Sequence, residues 1–316
     1  MTPKPPTRAT AFAPATVGNV AVGFDILGFA TESVGDEVIV RRTQEKTVTI
    51  GTIEGVVKEL PKRAEENTAT VGLLKMLKDL DPGFGFHVDI KKGIPLGSGM
   101  GGSAASAVGA VVAAAALLDQ VLTKDELLKY ALAGEEVASG AVHGDNVAPC
   151  LLGGLVLIRS LSPIDIVSIP VPKTLYAVLV KPELRIDTRR AREILPRDFP
   201  LQTIIAQSAN LAGFIAGCFQ EDLELIGRSL KDVLIEPYRS QLLPGFADAH
   251  KAAIDTGALG ASLSGSGPAL FALARDKEEA LRVSAAMAAV FAGQDVATQS
   301  WAAPISPKGT TVTSID

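Results

Sequence analysis

The chain has few of the residues that announce chemistry on their own. Its 316 residues include two cysteines, three histidines, one tryptophan and three tyrosines. Cys150 and Cys218 lie far apart in sequence and in apolar surroundings, which excludes a disulfide framework and points to a reducing, cytoplasmic setting. His87, His143 and His250 give no metal-ligand pair at helical spacing and no clear catalytic triad, so His143 reads as a structural hydrogen-bonder. A basic excess is also missing. Thirty Lys plus Arg against 35 Asp plus Glu leave a formal charge of -5, which argues against a nucleic-acid partner. The longest apolar run, Ala104 to Leu118, is broken by Ser106 and Gly109. At about 1.5 Å per residue it falls short of a ~30 Å hydrocarbon core, so no membrane span is expected despite a mean hydropathy of +0.28. Met1 to Thr10 carries prolines and no apolar core, and is not read as a signal peptide.

Present in abundance are alanine and glycine, the latter 30 times. An apolar fraction of 47% with 21% charge describes a chain that buries a core. At roughly 100–200 residues per domain the length fits two domains or one large one. No tandem repeat or low-complexity linker divides the chain. A boundary falls within Gly154 to Pro172, giving domains 1–160 and 161–316. Thr47 to Ile53 and Phe84 to Ile90 predict strands, the second with clean alternation of Phe84, Phe86, Val88 and Ile90. Glu65 to Leu80 has helical spacing, and Thr123 with Glu126 forms a capping box for Lys124 to Ser139, with Gly140 as its stop. Further helices are predicted over Leu201 to Phe219, Asp222 to Ile235, Phe246 to Thr256 and Asp276 to Phe291. Strands are predicted over Leu155 to Ile158, Leu175 to Lys181, Ala258 to Leu263 and Ala269 to Ala274. Mixed runs of strands and helices suggest α+β.

The segment Pro95-Leu96-Gly97-Ser98-Gly99-Met100-Gly101-Gly102-Ser103 joins the alternating strand to a buried Ala-rich helix, Ser103 to Leu118. Glycines let backbone N–H groups approach a ligand, and a helix N-terminus adds free N–H groups and a positive dipole end, so the placement favours an anion. Ser103 can cap the helix or offer its hydroxyl to a metal. Gly97, Gly99 and Gly102 match the dinucleotide fingerprint literally. However, Lys91 to Pro95 intervene after the strand, and Asp119 ends a helix rather than a strand. A Walker A loop needs Lys-Ser/Thr where Ser103-Ala104 stands. A turn that merely permits close helix packing is the remaining reading.

Two further segments stand in order around this loop. Ala13-Pro14-Ala15-Thr16-Val17-Gly18-Asn19-Val20 leads to Gly23-Phe24-Asp25-Ile26-Leu27-Gly28, and Gly260 to Ala269 is a second glycine cluster. Together with Pro95 to Ala105 they resemble the three motifs of the GHMP kinases. That resemblance implies an ATP-dependent small-molecule kinase. It also implies a two-domain α+β GHMP kinase fold, with an N-terminal ATP-binding domain like ribosomal protein S5 domain 2 and a C-terminal ferredoxin-like α/β sandwich. Within the superfamily, His143-Gly144-Asp145-Asn146-Val147-Ala148-Pro149, Thr188 to Arg192 and Glu236-Pro237-Tyr238-Arg239 resemble the homoserine kinase family. The implied reaction is ATP-dependent phosphorylation of the L-homoserine hydroxyl in threonine biosynthesis.

The residue types suit that zwitterion. Guanidinium forks from Arg192 and Arg239 match its carboxylate, Asp25 its ammonium, and Asn19 and Asn146 its hydroxyl or ammonium end. Each has a plainer alternative: Asp25 a turn cap, Asn146 an Asx turn, the arginines solvated surface charges. By resemblance, the loop from Pro95 through Ser103, Ala104 and Ala105 cradles the triphosphate, and Asn67 meets the adenine. Ser103 and Glu135 hold Mg²⁺, with Glu136 as the fallback because helix neighbours point about 100° apart. Where mevalonate kinases carry a catalytic Asp this chain has Asn146, so no dedicated base is expected, and Asn146, Ser103 and Glu135 carry the catalysis by positioning and charge. Gly102 and Met100 depart from the usual Ser and Leu of the loop. The superfamily's habit also implies a homodimer.

Overall fold

The computed structural model describes residues 5–139 and 144–316, so His143 and Gly140 lie outside the described residues. The first half runs β1 (Arg8–Gly18), β2 (Leu27–Thr43), β3 (Val48–Gly55), α1 (Thr68–Leu80), β4 (Gly85–Lys92), α2 (Gly102–Ala115), α3 (Lys124–Ser139), α4 (Gly144–Leu152), β5 (Leu155–Leu161) and β6 (Ile164–Ile169). The second continues with β7 (Tyr176–Pro182), α5 (Thr188–Glu193), α6 (Leu201–Gln220), α7 (Leu223–Ser229), α8 (Glu236–Arg239), α9 (Phe246–Asp255), β8 (Gly260–Leu263), β9 (Leu270–Ala274), α10 (Lys277–Ala292), β10 (Thr298–Pro304) and β11 (Thr311–Ile315).

Two sheets result. The larger has the order β11-β1-β2-β4-β3, with β5 paired to the start of β2 and β6 to β5. Its β3–β4 pair is parallel and its other pairs among the described residues are antiparallel. The smaller, β10-β7-β9-β8, is antiparallel throughout. Counted along the chain its strands lie in the order 4-1-3-2 with helices in the first and last connections, which is the ferredoxin-like arrangement.

Alanine governs how closely the layers approach. Ala9, Ala11, Ala13, Ala15 and Val17 alternate along β1 and are all fully buried. α2 lies over them. At its Gly109, a Cβ would stand 2.8 Å from Val38 Cγ2 and 3.4 Å from the Ala13 Cβ. Ten of the α2 residues are buried, and the high hydropathy is that of a helix enclosed by protein. The same core runs into the second sheet, where Phe271 meets Phe29 edge to face at 6.0 Å.

The capping box forms: Glu126 accepts the Thr123 backbone N–H at 2.7 Å, and the Glu126 N–H donates to Thr123 Oγ1 at 3.3 Å. The alternating strand is β4, with Phe86, Val88 and Ile90 buried. Other expectations need correction. The predicted helix over Asp222 to Ile235 stops at Ser229, because the Asp232 carboxylate takes the N–H groups of Leu234, Ile235 and Glu236 at 2.9 Å and holds that stretch out of the helix. α2 begins at Gly102 and ends at Ala115, short of Leu118. Its N-cap is Gly101 with φ +70 and no side-chain cap, so Ser103 does not cap it.

Candidate active site

The three glycine-bearing segments meet around one cavity of about 470 Å³. Its floor is the N-terminus of α2. Gly97, Gly99 and Gly101 all have positive φ (+61, +80 and +70), a conformation that places successive N–H groups toward one side at little cost only without a Cβ. The first hydrogen bond of the helix runs from Ala105 N–H to Gly101 O at 2.8 Å. The N–H groups of Gly102, Ser103 and Ala104 therefore have no intrahelical acceptor and define an anion site.

Partners distant in sequence hold the loop. Thr16 N–H donates to Met100 O at 3.1 Å, Ala269 N–H to Ser98 O at 3.0 Å, and Ser264 Oγ to Gly99 O at 2.7 Å. Asn19 links the remaining segments. Its backbone N–H donates to Asp145 Oδ2 at 3.1 Å, its Nδ2 to Gly265 O at 2.8 Å, and its Oδ1 accepts from Asp25 N–H at 3.0 Å. These bonds fix a left-handed stretch at Asn19, Val20 and Ala21 (φ 68, 45 and 54), unusual for a β-branched residue. Thr16 Oγ1 donates to Asn146 Oδ1 at 2.8 Å.

The far end of the cavity carries opposite charges. Arg192 Nη2 donates to both carboxylate oxygens of Asp25, at 2.9 and 2.8 Å. Arg239 is buried, with Nε on Ala191 O at 2.9 Å and Nη1 on Gly265 O at 3.3 Å. The Phe24 ring lies under both guanidiniums, 5.4 Å from Arg192 and 4.8 Å from Arg239.

Two buried carboxyls face the same space. Burial pushes Glu135 up to about 7, against a hydrogen bond with Ser103 that favours its ionised form. Burial, helped by the charge of Asp25, likewise pushes Asp145 up to about 7. Glu135 lines the cavity, whereas Glu136 is exposed. Among the described residues no cluster of three or more His, Cys, Asp and Glu side chains surrounds a metal position. The Ser103 hydroxyl and the Glu135 carboxyl form a sparse set of hard oxygen donors. That set suits Mg²⁺, which keeps water and phosphate oxygens as its other ligands.

Asn19, Asp25, Asn67, Leu96, Gly97, Ser98, Gly99, Gly101, Gly102, Ser103, Glu135, Asn146, Arg192 and Arg239 all line this cavity. Pro95, Met100, Ala104 and Ala105 do not. Met100 is fully buried and its backbone N–H and C=O are both bonded within the protein, so it shapes the loop from behind. Asn67 is the N-cap of α1: its Oδ1 accepts from Ala69 N–H at 3.0 Å and its Nδ2 donates to Pro61 O at 2.7 Å. Asn146 lies in α4, not in an Asx turn. Sequence reasoning passed over Phe24, Lys92 and Asp145. The Gly-Phe-Asp run and the residue preceding Asn146 were the available signals for two of them. Asp145 also accounts for two glycines. A Cβ at Gly18 would stand 2.4 Å from its Oδ2, and one at Gly28 1.7 Å from its carbonyl oxygen.

Two family models match the chain. The model for the GHMP kinases N terminal domain matches residues 67–154, and that for GHMP kinases C terminal matches residues 214–293. Homoserine kinase of Xanthomonas campestris pv. campestris (strain B100) is 49% identical over 95% of this chain and 92% of its own length. That of Xylella fastidiosa (strain M12) is 48% identical over 96% of this chain and 93% of its own. The crystal structure of homoserine kinase from Cytophaga hutchinsonii ATCC 33406 superposes with a TM-score of 0.94 at 44% identity, covering 99% of this chain and 98% of that one. The chain belongs to the homoserine kinase family of the GHMP kinases.

Proposed function

We propose that the cavity holds the triphosphate of ATP on the α2 loop and L-homoserine between Asp25 and the two arginines. The chain is an ATP-dependent kinase that transfers a phosphoryl group to the side-chain hydroxyl of L-homoserine, giving O-phospho-L-homoserine for threonine biosynthesis. The observation that carries this reading is the pairing, within one cavity, of a backbone anion site with an Arg-Asp-Arg cluster complementary to an amino acid.

The Arg192–Asp25 fork is a contact that the zwitterion replaces. The substrate carboxylate takes the guanidiniums of Arg192 and Arg239, and the ammonium takes Asp25. The Phe24 ring beneath them backs both guanidiniums. Asn19 and Asn146 orient the hydroxyl toward the loop. An amide does not accept a proton at neutral pH, so the hydroxyl proton passes to a γ-phosphate oxygen as the new O–P bond forms and the bond to ADP breaks. Catalysis then rests on in-line placement and charge neutralisation by the loop N–H groups. Ser103 and Glu135 are the residues that would hold Mg²⁺, which supplies further neutralisation of the phosphate oxygens. Asn67 meets the adenine with its remaining amide hydrogen, beside Leu60, Pro61, Leu96 and Val137. An ATP-binding domain over residues 1–160 and a C-terminal domain over 161–316, with β6 and β11 returning to the larger sheet of the first, a homodimer and a cytoplasmic location belong to the same reading; light scattering on purified protein tests the dimer.

Coupled ADP release with L-homoserine, with and without Mg²⁺, tests the activity. Turnover needing all three components is expected; turnover of another alcohol but not of homoserine refutes the substrate. An acidic limb in the kcat–pH profile that disappears in Asp25→Asn refutes transfer without a base.

A further inference from the structure

Beneath the phosphate loop is a buried cluster that the reaction as described does not use. Asp36 of β2 is fully inaccessible and Lys92, the last residue of β4, is 3% exposed. The two form an ion pair. Asp36 Oδ1 accepts the backbone N–H groups of Gly93 and Ile94, both at 3.1 Å. Its Oδ2 accepts the Ser106 hydroxyl at 2.9 Å as well as the lysine. Lys92 Nζ also donates to Gly102 O at 2.7 Å and to Ser106 Oγ at 2.9 Å.

We propose that Asp36 is a positioning residue for the ATP loop, acting through Lys92 and Ser106 to fix both of its ends. The inference rests on the reading of this cavity as an ATP site. One carboxylate anchors the start of the loop at Gly93 and Ile94 and, through Lys92 and Ser106, its end at the first turn of α2. Such an anchor is needed because Gly97, Gly99 and Gly101 have no side chains with which to hold themselves. The bonds from Thr16, Ala269 and Ser264 secure only the middle of the loop. Misplacement of the α2 N-terminus by even about 1 Å degrades an anion site built from directed N–H groups.

The same geometry assigns Lys92 its part. Lys92 borders the cavity and invites reading as a phosphate-binding lysine. An ammonium has three hydrogens, and three protein acceptors already surround this one. Its charge is matched by Asp36, and it has no donor left for a phosphate without breaking the cluster. A buried ion pair adds little net stability compared with an apolar pair of the same shape, although removing one partner alone is costly. Its presence here follows from what it aligns.

The test uses the full-length enzyme. Asp36→Asn combined with Lys92→Met removes both charges at similar volume and leaves neither unpaired, and Ser106→Ala cuts one link without touching charge. Steady-state kinetics, thermal unfolding and direct ATP titration are measured on each. The double variant is expected to unfold near the wild-type temperature, with KM for ATP raised about tenfold or more and KM for homoserine within about twofold. Ser106→Ala is expected to raise KM for ATP by a factor of about two to five. Unchanged KM for ATP in a folded double variant, or an equal rise in both KM values, overturns the proposal. So does a fall in kcat of about a hundredfold at unchanged KM for ATP, which makes Lys92 a phosphate ligand. If the double variant does not fold, an unchanged KM for ATP in Ser106→Ala overturns it. Failure of the wild-type protein to bind ATP refutes the site itself and is distinct from all of these.

Discussion

Alanine placed at two of the loop glycines separates backbone strain from crowding. Gly97 and Gly101 have nearly the same φ, +61 and +70, so each substitution carries the left-handed penalty of about 1–2 kcal/mol. A Cβ at Gly97 meets nothing within 4 Å, whereas one at Gly101 stands 2.0 Å from Thr16 Oγ1 and 3.1 Å from Asn146 Oδ1. Thr16 is fully buried in β1 and cannot turn aside. Overpacking and loss of the Thr16–Asn146 hydrogen bond bring the cost of Gly101→Ala to about 3–6 kcal/mol. Urea unfolding with linear extrapolation reads the two values. Kinetics add a second signature. The methyl group of Gly97→Ala enters the space for phosphate and raises KM for ATP. Gly101→Ala disturbs Asn146 and raises KM for homoserine too. Gly102→Ser is the control. Its φ is not left-handed, its Cβ stands 3.3 Å from Ile94 Cγ2 and 3.6 Å from Lys92 Nζ, and a change within about 1 kcal/mol is expected. Equal destabilisation at Gly97 and Gly101 would refute this reasoning.

Arg192→Ala should leave the unfolding temperature almost unchanged, because its pair with Asp25 is partly exposed and worth under about 1 kcal/mol, while KM for homoserine rises about tenfold or more. Arg239→Ala should lose both affinity and about 1–3 kcal/mol of stability, since it leaves Ala191 O without its donor, while Gly265 O keeps the bond from Asn19. Stability should also depend on pH. Burial raises Asp145 from 3.8 and Glu236 from 4.5, each to about 7. The folded state therefore holds these protons more tightly than the unfolded one. The penalty is absent below the unfolded values, grows as pH rises and is complete above about 7. The unfolding temperature of the ligand-free protein should fall between about pH 4 and 7, and Glu236→Gln should flatten that fall. Cys150 and Cys218 are buried, with burial pushing both thiols up to about 12. A thiol reagent should label neither in the native protein and both after unfolding.

What the sequence disclosed depended on how local the cause was. β4 was legible because its side chains alternate, and α10 because Asp276 caps it and its apolar face repeats. β1 was hidden because Ala-rich Arg8–Gly18 carries Pro14 and little β-branching, and its strand state comes from pairing with β2. α4 was hidden by Gly144 and Pro149. Pro149 has no N–H for the Asp145 carbonyl four residues earlier, and that carbonyl packs against Gly28 instead. At the site, Asp25, Arg192 and Arg239 were found through their resemblance to family segments. Asp36, Lys92 and Asp145 were not, because the contacts that bring them to the site, Lys92 to Asp36 and Asp145 to Asn19, join residues 56 and 126 apart. No local pattern records such contacts.

The pairing of β11 with β1 has a consequence for how the protein is made. Arg8 N–H donates to Asp316 O at 3.0 Å, and Asp316 N–H returns to Arg8 O at 2.9 Å. The sheet that carries the glycine loop thus gains its outer strand only after the entire second sheet has been synthesised. During translation the first half waits with β1 as an unprotected edge, and edge strands of that kind recruit wrong partners. The order of assembly is therefore not the order of the chain: the half that holds the glycine loop is begun first and closed last.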